Sequence, residues 1–195
     1  MKKIFLIAAS ALIALSATAQ TKSAYVNLNE LIQLMPEMDV ARTTMTAAQK
    51  EVQETGQAMM QEFQTKYTQY QQTAANSSQS VREVKEKELT EMQTRIQEFE
   101  QSAQQELQQK YQQLLAPINE KAVKTVSDIA KAAGYAFVFD ASQYIYVDPA
   151  QAVDITAQAR KALNIAEGRT LETLAAELQA QQQALADSTA PATQK

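Results

Sequence analysis

The side chains that do most enzyme chemistry are missing from this chain. Its 195 residues include no His and no Cys, and only three Gly. Without His there is no imidazole base, no Ser-His-Asp triad and no His-ligated metal. Without Cys there is no thiolate nucleophile, no disulfide and no zinc–sulfur site. Gly56, Gly134 and Gly168 lie too far apart to build a phosphate-cradling loop. Asp140, Asp148 and Asp154 are three carboxylates near one another in the chain, which raises calcium as a ligand. Their spacing is not that of an EF-hand loop, so capping and turn roles are expected instead. Glu86 and Glu88 read as a solvated helix face. No catalytic residue, metal or cofactor is expected, and the chain does not read as an enzyme.

What remains is soft and apolar. Met59, Met60, Phe63, Tyr67 and Tyr70 recur at helical spacing, and Met92, Ile96 and Phe99 recur similarly further on. Such rows can be the seam between two helices. They can also be a surface that accepts varied apolar partners, for which flexible, polarisable Met is well suited. Met59 and Met60 are adjacent, so they point about 100° apart and cannot both enter one narrow seam.

Two long helices must carry these rows. Little breaks a helix between Val40 and Ala75 except Gly56, and the larger residues Met45, Val52, Met59, Phe63, Tyr67 and Tyr70 share one face. Asn76 to Gln79 reads as a turn, after which Ser80 and Glu83 form an expected capping box. A second helix is predicted from Val81 to about Ala132, striped by Val84, Met92, Ile96, Phe99, Ala103, Leu107, Tyr111, Leu114 and Ile118. Pro117 should kink it or end its first part, and Gly134 should cap it. The pair is expected to fold as an antiparallel α-hairpin.

The flanks read as short strands. Tyr25-Val26 is β-prone, and Asn27 or Asn29 can cap a helix from Leu31 to Met35 that Pro36 then restarts. Tyr135 to Phe139 and Tyr144 to Val147 are predicted as a β-hairpin around residues 140–143, with Tyr25-Val26 as a third strand. Asp154 should cap a helix from Ile155 to Leu163. Thr170 to Ala186 can form a helix with Leu171, Leu174, Leu178 and Leu185 on one side, and Asp187 to Lys195 is expected to be disordered. The fold class is α+β, mostly α. A small body from residues 20–39 and 115–163 carries a hairpin arm over residues 40–114, followed by an extension over 164–195.

The arms look unable to stabilise themselves. Between Gln49 and Gln113 there are 18 Gln, so their apolar stripe is thin. They must be flexible or braced by a partner. The body is also near the size limit for a lone core, and association through the strands is the simplest remedy.

The first residues read as a secretory signal. Lys2 and Lys3 precede an apolar run from Ile4 to Leu15, and Ala17-Thr18-Ala19 is a small-residue cleavage site. Cleavage after Ala19 would leave 16 basic and 22 acidic residues, because Lys2 and Lys3 leave the total of 18 basic residues. That balance gives no electrostatic footprint for nucleic acid.

Two stretches of the chain resemble the Skp/OmpH family of periplasmic chaperones. One is Ala24-Tyr25-Val26-Asn27 leading into the Leu28 to Met35 helix. The other runs from Leu114 to Thr156 and includes Ala133-Gly134-Tyr135, Phe137-Val138-Phe139-Asp140 and Asp154-Ile155-Thr156. The resemblance implies a periplasmic homotrimer shaped like a jellyfish, whose arms hold unfolded outer-membrane β-barrel proteins without ATP. Tyr25, Val26, Phe137, Val138, Phe139, Ile145 and Val147 would then build the trimeric body. Met59, Met60, Phe63, Tyr67, Tyr70, Met92, Ile96 and Phe99 would line the client cavity. The chain is acidic where the family's best-known member is basic, so any contact with membrane or lipopolysaccharide is expected to be weak. The alternative reading is a structural or adaptor coiled-coil protein of an envelope complex.

Overall fold

The computed structural model describes residues 22–189. The signal expected at 1–19 and the tail residues 190–195 lie outside the described residues. Helix α1 (Leu28–Leu34) begins where the Asn27 side chain accepts the Glu30 N–H at 3.1 Å. It ends at Met35, whose extended φ −62°, ψ 141° is what a residue before proline prefers. Pro36 then opens helix α2 (Pro36–Thr73) at its first position, where a missing N–H costs nothing.

A single 3₁₀ turn, Ala74–Asn76, leads from α2 towards helix α3 (Gln79–Ala133). The cap of α3 is Ser78 and not the expected Ser80. Ser78 has the extended φ −63°, ψ 158°, and its hydroxyl accepts the Val81 N–H. Ser80 already lies inside the first turn, so no capping box with Glu83 forms. Arg82 ties the turn together by donating to the carbonyls of Ala74 and Ser77, at 3.3 and 2.6 Å. Helix α3 runs through Pro117 without ending. It stops at Gly134, whose φ of 72° is the left-handed conformation that glycine adopts without a Cβ clash.

Helices α2 and α3 pack antiparallel. Glu37 meets Lys121, Gly56 faces Phe99, Lys66 meets Glu88, and Tyr70 meets Glu86. Their seam buries Ala48, Met92, Ile96 and Ala103. Leu89 is half-buried while Val84 is exposed, so the stripe of α3 enters the seam through Leu89 and not through Val84.

The sheet has three short strands. Strand β1 (Ser23–Val26) lies between β2 (Phe137–Asp140) and β3 (Ala152–Asp154), and both pairings are parallel. Tyr25 stands beside Phe139 in the register. The expected hairpin is not formed, and Tyr144–Val147 is a connection and not a strand. Asp140 is the reason. Its carboxylate accepts the N–H groups of Leu28 and Ser142, which turns the chain into a 3₁₀ turn (Ala141–Gln143) away from the edge of β2. The chain then crosses to the far side of β1. There Asp148 accepts from Ala150 through its side chain and from Gln151 and Ala152 through its carbonyl, aiming β3 along the free edge.

One core joins these parts. Ala24, Val26, Leu31, Leu34, Met35, Met38, Ile118, Ala122 and Val126 cluster with Ile155, Ala159 and Leu163. The Asp154 carboxylate accepts the Thr156 N–H at 2.8 Å, at the start of helix α4 (Thr156–Ala162). Helix α4 is closed by Asn164 at φ 57°, with Ile165 donating back to the Arg160 carbonyl. Helix α5 (Leu171–Thr189) follows, so the first residues of the expected disordered tail, 187–189, are helical. Ile165 and Leu174 are buried in the same core.

Gly56 lies inside α2, and a Cβ there would meet the Phe99 ring at 3.6 Å, an ordinary contact. Gly56→Ala should therefore stabilise the chain by about 0.5–1 kcal/mol, the usual helix-interior penalty of glycine. Denaturant unfolding of the two chains measures the difference.

Candidate functional site

The α2–α3 pair sorts the sequence-chosen residues into two sets. Met92 is 3% exposed and Ile96 is 8% exposed. Both face α2 and form the seam, so neither presents a surface to a partner. Met60 is 50% exposed and Tyr67 is 44% exposed. Met59, Phe63, Tyr70 and Phe99 are half-buried at the seam's edge. Phe63 and Tyr67 stack with ring centroids 6.1 Å apart. The adjacent Met59 and Met60 split as their angular offset requires, one toward the seam and one outward. An outward-facing row of Met60, Phe63 and Tyr67 results, continued by the rim of Met59 and Tyr70.

The seam between this row and the foot of the pair is incomplete. Small residues meet near its middle, and a cleft of about 200 Å³ opens among Ala48, Val52, Phe99 and Leu107. A second apolar hollow of about 330 Å³ lies at the foot of the pair, where Val40, Ala41, Leu114, Pro117 and Ile118 come together. Val40 is largely exposed there and was not among the residues chosen from sequence. Its one signal was a position just after the restart at Pro36.

Polar groups fix the far end of the pair. Lys66 donates to Glu88, which also takes Lys85 at 3.0 Å, and the Tyr70 hydroxyl donates to Glu86. The Lys66 and Lys85 ammonium groups pull the Glu88 carboxyl down to about 2. The carboxylate of Glu86 holds the Tyr70 hydroxyl above its ordinary value. At the foot, Lys121 lowers Glu37 in the same way.

The sheet forms a second surface. The residues expected at a self-association face divide between its two sides. Val26 is buried and Val138 is packed against the chain's own core, so both already have partners. Phe137 and Phe139 point outward, their rings stacked at 6.3 Å, and Tyr144 meets Phe139 edge-on at 5.7 Å. Tyr25 is half-buried beside them. Beyond lies Ile145, 108% exposed, then Tyr146, 76% exposed, with Val147 half-buried and Val153 exposed on β3. Sequence reasoning missed Tyr146. It lies between Ile145 and Val147, in a connection whose irregular backbone leaves it open to solvent.

Among the described residues no group of acidic side chains is placed to hold a metal ion, and no helix is long and apolar enough to cross a membrane. Asp140 and Asp154 instead accept backbone N–H groups.

The Glu88 ion pairs make acid stability testable. A carboxyl held below its usual value of 4.5 stabilises the fold above that pH and loses the effect as pH falls towards about 2. The thermal midpoint of the native chain should exceed that of Glu88→Gln near neutrality. The gap should close between those two pH values, as followed by circular dichroism.

No curated protein matches the chain. The family model described as "Outer membrane protein (OmpH-like)" matches residues 22–163, which span the sheet, α1, both long helices and α4. The chain belongs to the OmpH-like outer membrane protein family.

Proposed function

We propose that this chain is a periplasmic holdase that keeps unfolded outer-membrane β-barrel proteins from aggregating, without ATP. The observation that carries the reading is the row of Met60, Phe63 and Tyr67, apolar and partly open to solvent along a Gln-rich helix pair. Family membership supplies the kind of client. Chemically, the row suits holding and little else. Apolar contacts of this size contribute about 1–3 kcal/mol each, enough to delay aggregation without imposing a client structure. The charges around the row nearly balance, with 11 acidic and 8 basic residues from Lys50 to Lys121, so charge does not select the client.

The working form is a homotrimer assembled through the outer face of the sheet. Phe137, Phe139, Tyr144, Ile145 and Tyr146 form a contiguous aromatic and aliphatic patch, unusual for a surface that stays in water. Assembly would cover it and set three helix pairs around a common space, with the Met60 row inside. Export through a signal cleaved after Ala19 would bring the chain to these clients.

Mature protein, mixed with an unfolded β-barrel protein at one trimer per client, should keep it in solution. Client aggregation at the rate seen without the protein would sink the reading. Replacing both Met60 and Tyr67 with Gln should weaken client affinity roughly tenfold while leaving helicity intact. Met92 and Ile96 are unsuitable for this purpose because their loss would open the seam. Light scattering should report three copies for the native chain. For Ile145→Asp with Phe137→Asp it should report a single copy.

A further inference from the structure

The family match ends at residue 163, yet the chain goes on as an ordered turn and helix α5. We propose that this extension is a brace across the joint between the body and the helix pair. It would limit how far the pair can swing.

The joint can be located. Helix α1 breaks from α2 at Met35–Pro36, where an extended residue interrupts the helical path. On the other helix, about one turn further from the body, is Pro117, which has no N–H to donate to the carbonyl of Gln113. Val40, Ala41, Leu114 and Pro117 line the same hollow, and Glu37 pairs with Lys121 on its body side, so the two weak points lie about one helical turn apart. Two backbones interrupted this close together form a natural hinge plane, tilted across the pair.

The extension spans this plane on the α2 side. On the body side, Ile165 and Leu174 are buried in the core and α5 lies against α1. On the helix-pair side, the Arg169 guanidinium reaches Asp39, in the first turn of α2, at 2.6 Å. The same Asp39 oxygen takes Arg42, which donates to the carbonyl of Gln33 in α1 at 2.7 Å. Arg169 is held in turn, because Arg160 donates to its carbonyl and pairs with Glu30 of α1 at 2.9 Å. Gly168, at φ 78°, makes the reversal that brings Arg169 back over α2. The links run from α1 through Arg160 and Arg169 to Asp39, and so from one side of the joint to the other.

Both ends of this path are partly shielded, with the Arg169 side chain 21% and the Asp39 side chain 39% exposed, so water screens the pair incompletely. A charge-assisted hydrogen bond in such a place resists opening more than an exposed surface pair. The brace gives the helix pair a set direction, where a bare Pro joint would let it wander. Its importance for client capture rests on the holdase reading, but its existence does not.

Hydrogen exchange of the full mature protein in its native assembly, without client, tests the brace alone. Arg169→Ala should speed exchange of residues 36–45 about tenfold, the order expected for losing one charge-assisted hydrogen bond. Residues 79–90, at the far end of the pair, should keep native rates, which controls for global unfolding. Arg169→Lys, which keeps the charge, should recover part of the protection. Native exchange rates over 36–45 in Arg169→Ala would overturn the proposal, as would equal acceleration at both ends of the pair. Neither result depends on whether the protein holds clients.

Discussion

Leu31, Leu34 and Met35 are fully shielded from solvent, and the short helix α1 that bears the first two packs on α2, α3, α4 and α5. Seven residues cannot form a stable helix in water, because nucleation is costly and few bonds follow it. Helix α1 exists because its neighbours bury it, and they are gathered because it offers them an apolar surface on several sides. Remove that burial and β1, α2 and α4 lose their common contact. The whole body, and the angle at which the helix pair leaves it, depends on this mutual shielding.

The helix pair obeys the opposite rule. Two helices can bury only one stripe each, so most of α2 and α3 faces water along their whole length. Intrinsic propensity and i,i+4 pairs such as Lys50–Glu54 and Lys87–Glu91 carry the exposed faces. Beyond the body, deeper burial among the described residues is confined to Ala48, Met92, Ile96 and Ala103, where small and large residues alternate. A pair built this way keeps apolar side chains such as Met60 and Tyr67 available, because among the described residues no third element covers them. The property that limits its stability is the one that suits it to transient apolar contacts.

The polar groups are concentrated where chain direction changes. Asn27, Ser78, Asp140, Asp148 and Asp154 each accept backbone N–H groups at a turn or helix start. Charged pairs cluster at the two ends of the helix pair, Glu37 with Lys121 and Lys66 with Glu88, and at the joint, Arg169 with Asp39. Carboxylates that might have suggested a metal site are thus engaged in shaping the backbone. Buried apolar area holds the body together, and short polar contacts decide where it bends.

Much of this was fixed by residue order alone. Pro36 had to restart a helix and Gly134 had to end one, because backbone geometry at these residues has few alternatives, whereas Asn27 and Asn29 were both able to cap and the structure uses Asn27. The two long helices followed from the scarcity of Gly and Pro between them. Only the tertiary structure decided the sheet. Strands of three or four residues carry too little periodicity to be told from loops, and Tyr144–Val147 is more β-prone than Ala152–Asp154. The Asp140 turn and the free edge of β1 gave the pairing to the weaker candidate. Burial along the helix rows was likewise undecided by spacing. Met60 and Met92 are the same residue type in similar rows, but one is half open to water and the other is buried in the seam. The contact of the extension with α2 was illegible for the same reason, since Arg169 and Asp39 are 130 residues apart in sequence and only the fold brings them together.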